Sequence, residues 1–484
     1  MPRRFKILFK ILLLFCALAL AVDARAFDVS TTGTVSLRYQ SGADLALLNP
    51  GVQYPDYGFA AAYLMPELDF NQGEWLNGTI ELYTGELSTR TFSSDSLDLY
   101  GVESAKNYFN DTYFVRQAYL DFSPDESINI YVGQREIVGG SKLLFDNYQP
   151  SFTFDYDMTD ALGVPLSLDL NVVKVEPYKL YDPSRTSMFY DAELSYSFSL
   201  FEYVTLFYSN FEDTDNTLAP LLDNIVYTSL FNRATYNTLV SRYGRLKAAQ
   251  IMACLQKEYA SGGPVRSSST SINWTGITGD RYFGRFELGA TGILEFGSGT
   301  VDGDNCFANS APFTRSFGTY GYLADVKLKY HVRHLATLGI FFNLSSGDKA
   351  PADAIIKQQT LNSFLAIFPY NTETNLFFNG GINQDINTGS LAMAGRRGLG
   401  DVAYGADLDF YPVKPIEFAV VPAIIYPEVG DSDYGFETDF TFTYTLNKHA
   451  SFPFELDYFW PGEFFQGQNI SSIVQVLSGA DISW

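Results

Sequence analysis

The sequence predicts an all-β fold, a transmembrane antiparallel up-and-down β-barrel of about 18 strands with a helical insert in one extracellular loop. Three observations carry this expectation. Segment after segment alternates apolar and polar residues over about ten positions, the length that a tilted barrel strand needs. Tight turns and long loops succeed one another along the chain. Aromatic residues make up 16% of the chain and recur at strand ends, where a membrane barrel places its interfacial girdles.

The N-terminus comes first. Arg3, Arg4, Lys6 and Lys10 precede an apolar run from Ile11 to Val22, followed by Ala24-Arg25-Ala26. A charged start, a short apolar core and a small-x-small site predict a secretory signal peptide over 1–26, with the barrel over 27–484. Residues 1–26 hold five bases and one acid, leaving 27 Lys+Arg against 54 Asp+Glu. Such acidity excludes a nucleic-acid partner.

The strands follow. Val35, Leu37 and Tyr39 alternate with Ser36, Arg38 and Gln40. Leu166, Leu168, Leu170 and Val172 do so with Ser167, Asp169 and Asn171, and Tyr190, Ala192 and Leu194 with Asp191 and Glu193. The pattern returns at 285–295, 402–410 and 436–444. Turns are expected at 123–127, 162–165, 199–203, 279–283, 331–334, 412–415 and 447–451. The last strand places Val474, Val476, Ala480, Ile482 and Trp484 on one face, a tail suited to the barrel-assembly machinery.

Taking the polar face of each strand as inward gives the pore-lining candidates. The acids are Glu81, Asp121, Asp169, Asp191, Glu193, Glu287, Glu295, Asp325, Asp407, Asp409, Glu437, Asp439, Glu455 and Asp457. The bases are fewer: Arg38, Arg135, Arg285, Lys327 and Lys329, with Arg135 and Arg285 candidates for a local constriction. Carboxylate rings favour cations and repel polyanions. Arg116 falls on the apolar face of Ala118, Leu120 and Phe122, where an Arg at mid-membrane costs roughly 2–4 kcal/mol. A bulge or register shift at Arg116 is therefore expected.

Within 217–259 the β rhythm gives way to near-helical spacing, which predicts two helices acting as a lid or constriction, or as a packed surface cap. Cys254 and Cys306 fall in consecutive outer loops of an oxidising compartment, which permits a disulfide. Asp302, Asp304 and Asn305, with Asp213, Asp215 and Asn216, offer oxygen ligands for Ca²⁺, solvated acidic loops being the other reading. No further cofactor is expected. The three histidines, His331, His334 and His449, sit in predicted periplasmic turns, away from any serine nucleophile at the outer leaflet. No enzyme is expected.

The run YFVRQAYLDFSPDESINIYVGQREIVGGSKLLFDN (113–147) resembles the alginate-export porin family, with Arg116, Gln117, Ala118 and Tyr119, then Gly133, Gln134 and Arg135, then Gly139 or Gly140 at matching positions. Gly-Gln-Arg stands here in place of the family's Gly-Arg-Gln. Ser346, Gly347 and Asp348 match a second feature, a strand ending in Ser-Gly-Asp before a long loop. The resemblance implies a monomeric 18-stranded barrel for passive transport in the Gram-negative outer membrane. Its partners would be membrane lipid and either small solutes or polysaccharide. The alternatives are an adhesion barrel working through its loops and a sheath around a periplasmic redox protein.

Overall fold

The computed structural model describes residues 28–43, 57–73, 75–84, 89–90, 113–175, 187–213, 240–241, 244–260, 265–303, 313–351, 354, 358–367, 373–378, 391–393, 395, 398–465 and 472–484. The signal peptide, Cys306, Asp304, Asn305, Asp215 and Asn216 lie outside them, as do the side chains of Arg38, Cys254 and Asp302. The disulfide and Ca²⁺ expectations therefore fall outside the described residues.

One continuous sheet holds 20 strands, two of them the two-residue bridges Thr89–Arg90 and Thr360–Leu361. The other 18 form the barrel. They are β1 (Asp28–Ala43), β2 (Tyr57–Asn71), β3 (Leu76–Thr84), β4 (Tyr113–Asp125), β5 (Ile128–Gly139) and β6 (Phe145–Asp157). Next come β7 (Leu166–Val175), β8 (Ser187–Ser199), β9 (Glu202–Asp213), β10 (Val265–Phe283), β11 (Phe286–Gly303) and β12 (Phe313–Val332). The last six are β13 (Ala336–Ser345), β14 (Asp401–Val413), β15 (Ile416–Tyr426), β16 (Gly435–Asn447), β17 (Ala450–Pro461) and β18 (Ile473–Ser483). Each barrel strand pairs antiparallel with its sequence neighbours. The circle closes through β1 and β18, from Thr34 opposite Ser483 to Ala43 opposite Val474. Closure leaves no row of unpaired backbone groups in lipid.

Alternation sorts the side chains between two faces. The outer face exposes apolar residues such as Leu206, Ile277, Val326, Leu328, Leu338 and Ile340. Aromatic pairs border this band. At the short-turn end Trp75 meets Phe122 at 6.0 Å and Phe286 meets Tyr330 at 4.9 Å. At the long-loop end Tyr404 meets Tyr426 at 6.1 Å and Phe436 meets Trp460 at 5.3 Å. These are the two interfacial girdles. The inner face carries the polar residues and two apolar clusters, one around Phe145, Phe189, Trp274 and Phe364, the other around Phe377, Tyr434 and Phe459.

The tight connections occupy 126–127, 200–201, 284–285, 333–335, 414–415 and 448–449, with longer turns at 72–75 and 158–165. The expected turn at 279–283 is corrected. Gly279-Asp280 reads as a turn signal, yet β10 runs on to Phe283, and Gly284 makes the turn at φ 68°. Of the helical insert the structure describes one helix, Arg245–Ala260, whose Ala248 and Ile251 pack into the first apolar cluster.

Candidate functional site

The inner wall is the site, and β6–β8 show its chemistry. Asp155 stands opposite Asp169, and Asp169 opposite Glu193, so three carboxylates share one row. Like charges directly across strands are destabilising. Polar donors and a cation offset them here. Asn171 donates to Asp169 at 3.1 Å and to Asp191 at 3.4 Å, Ser209 donates to Asp191 at 2.6 Å, and the Gly140 amide donates to Glu193 at 2.9 Å. Arg135 on β5 acts on both Asp155 and Asp169 while its guanidinium lies 4.0 Å from the Tyr131 ring centroid.

Arg116 sits at a bulge, as its neighbours require. Glu81 pairs with Gln117 and Leu82 with Val115, so Arg116 is the extra residue. It reaches Glu81 at 3.2 Å and the Tyr148 hydroxyl at 2.8 Å, with its guanidinium over the Tyr148 ring. Gln117 completes the Glu81 carboxylate from the other side at 2.9 Å.

The segment between β13 and β14 folds into the barrel. The Leu365 amide donates to Glu295 at 2.5 Å, and the Trp274 indole donates to the Leu365 carbonyl at 2.9 Å. The Ile367 amide reaches the Leu144 carbonyl at 3.0 Å. Further along, Glu437 accepts the Leu376 and Phe377 amides at 2.6 and 3.0 Å. Asn375 donates its amide to Asp439 and its side chain to Asp457, while Glu373 pairs with Lys327 at 2.6 Å. One connection thus touches the wall at β10–β12, at β16–β17 and at the β5–β6 turn. Carboxyl groups of the wall hold its backbone.

Other sequence-predicted residues fall as follows. Lys329 pairs with Asp407 at 3.0 Å, beside Asp409. Asn343 donates to Asp325 at 3.2 Å, Ser123 donates to Asp121 at 3.3 Å, and His331 lies 2.8 Å from Glu287. His331 therefore belongs to the end of β12 instead of a turn. Arg285 is corrected in its placement: it occupies the exposed Gly284-Arg285 turn and not a strand. The misplaced turn at 279–283 had carried it into a strand. Asp155, Glu373 and Asn375 were missed. Asp155 could have been found, since Phe152, Phe154 and Tyr156 alternate with Thr153, Asp155 and Asp157, whereas Glu373 and Asn375 lie in a loop, where no period marks a face.

A closed 18-stranded antiparallel barrel with an apolar outside, a polar inside and an infolded loop has the porin-type transmembrane fold. Solved structures of this fold superpose over nearly the whole chain. A BenF-like porin from Pseudomonas fluorescens Pf-5 is 10% identical and covers 94% of this chain and 99% of its own, with TM-score 0.53. Pseudomonas aeruginosa OccK9 (OpdG) is 11% identical, covering 94% and 98%, with TM-score 0.52. OccK11 (OpdR) from the same organism is 11% identical, covering 95% and 97%, with TM-score 0.50. At such identities the likeness is one of fold. No protein-family model and no curated protein matches the chain.

Proposed function

We propose that this chain is a porin of the Gram-negative outer membrane that passes small hydrophilic solutes and prefers cations over anions. The wall charge carries the reading. Arg116, Lys327 and Lys329 are each paired with an acid, and Arg135 lies among acids. The row Asp155–Asp169–Glu193, with Asp191, Asp409 and Glu417, adds acidic side chains beyond those pairs. Such a wall attracts cations and repels polyanions. The motifs at 113–147 and 346–348 still support an alginate-export-like barrel, but a polyanionic cargo would need a basic lumen. The infolded residues 358–367 and 373–378 are the narrowing element in this reading, and the C-terminal strand with Trp484 engages the assembly machinery.

Reversal potentials across planar bilayers under a salt gradient test it. Cation selectivity is expected. Anion selectivity would overturn the charge reading and restore a polyanion, and absence of conductance would favour the adhesion or sheath alternatives.

A further inference from the structure

A cavity of about 400 Å³ opens on the outside of the barrel at its long-loop end. Its origin is a notch in the wall. β13 and β14 stop together at Ser345 and Asp401, whereas β12 continues to Phe313. The projecting edge of β12 gains only a short parallel bridge, Gly318 with Thr360 and Thr319 with Leu361. Residues 346–348 and 362–364 seal the notch from within: the Ser346 amide donates to the Tyr322 carbonyl, the Tyr322 amide donates to the Ser346 hydroxyl, and the Phe364 amide reaches the Ser346 carbonyl. The cavity remains on the lipid side. Tyr320, Tyr322, Asp348, Lys349, Asn362 and Glu428 are among its lining residues.

The height of the cavity identifies what it meets. Tyr330 marks the girdle at the other end of the same strand. Ten residues of tilted strand from Tyr330 to Tyr320 rise roughly 25 Å, the height of the apolar band of such barrels. The cavity therefore opens at the level of the outer-leaflet headgroups. Tyr320 is 51% exposed there. Lys349 is exposed and has no ion-pair partner among the described residues. The carboxylates are anchored but keep acceptor capacity. Glu428 takes the Tyr322 hydroxyl at 3.1 Å and the Gly347 amide at 3.3 Å, and Asp348 takes the Ala350 and Asn362 backbone amides at 2.8 and 3.0 Å and the Asn362 side-chain amide at 3.3 Å. An ionised carboxylate offers about four acceptor sites.

We propose that this notch binds the headgroup of an outer-leaflet lipid, a phosphorylated saccharide. The sugar lies on the tyrosines and donates its hydroxyls to Asp348 and Glu428, and Lys349 faces the phosphate. Aromatic faces and an aliphatic-stemmed lysine at an interface suit such an amphiphile. A plain phospholipid lacks the sugar hydroxyls that would donate to the two carboxylates. The proposal rests on the barrel lying in the membrane and not on what the lumen passes, so a failed selectivity test leaves it standing.

The test is lipid retention by the full-length protein, read by native mass spectrometry after reconstitution and detergent release. Three lipids are offered separately: lipid A, its dephosphorylated form and phosphatidylglycerol. Wild type is expected to keep lipid A in preference to both others. The double variant Tyr320→Ala/Lys349→Glu is expected to lose lipid A retention about tenfold. Heat-modifiable gel mobility and unchanged conductance show that the variant is folded. Equal retention of lipid A and phosphatidylglycerol by wild type, or undiminished retention of lipid A by the folded variant, would overturn the site. Equal retention of the two forms of lipid A would overturn the phosphate assignment.

Discussion

At the scale of residues, the wall is held by charges placed in company. Arg116 joins three strands, because its bulge on β4 turns it toward Glu81 on β3 and Tyr148 on β6. Arg116→Ala would leave Glu81 with Gln117 as its donor and is expected to cost about 2 kcal/mol, read as a lower urea midpoint in vesicles. Arg116→Lys should recover little, since a lysine cannot both stack on Tyr148 and fork toward Glu81. Glu373 provides a pH signature. Burial lifts its carboxyl from the ordinary 4.5 to about 7, outweighing the opposing effect of Lys327. A raised acid favours the docked loop in its protonated form. That contribution is complete below about 4.5 and is lost as pH rises through about 7. Single-channel records are expected to be steady at pH 5 and noisier above pH 7. A Glu373→Gln channel whose noise still follows pH would count against this assignment.

At the scale of elements, the infolded connection depends on wall carboxylates more than on its own sequence. Glu437→Ala removes the acceptor of two backbone amides in a site with no access to water. Each buried amide left unsatisfied costs about 1–3 kcal/mol, so residues 375–377 should detach and unitary conductance should rise. Gly347 is a second control point. A Cβ there would meet the Leu399 backbone, so Gly347→Ala is expected to unseat the seal beside β13 and raise proteolysis within 346–400. The helix Arg245–Ala260 packs on the same apolar cluster through Ala248 and Ile251. Deleting 217–262 and recording conductance separates a constricting insert, which predicts a larger current, from a surface cap, which predicts an unchanged one.

At the scale of the whole molecule, closure is cooperative, because β1 and β18 complete each other's hydrogen bonding. Trp484 adds to the seam: its amide reaches the Gly33 carbonyl at 3.1 Å, and its ring fills the space that a Cβ at Gly33 would take. Truncation after residue 471 is expected to abolish the heat-modifiable folded band on gels, since both β1 and β17 would become open edges in lipid. The barrel, its strand number and the turn–loop rhythm were legible in the sequence by itself, because lipid outside and water inside impose a two-residue period on every strand. Arg116 was legible too, as the one residue at odds with that period. The exact turn before β11, and hence the place of Arg285, was not, since Gly279-Asp280 and Gly284 carry similar local signals. Only the tertiary structure decided that the described residues of the connection between β13 and β14 enter the barrel and that Glu295, Glu437 and Asp439 hold its backbone. Loops have no period, and bonds between a carboxylate and an amide some 60 to 70 residues away leave no mark on either stretch of sequence.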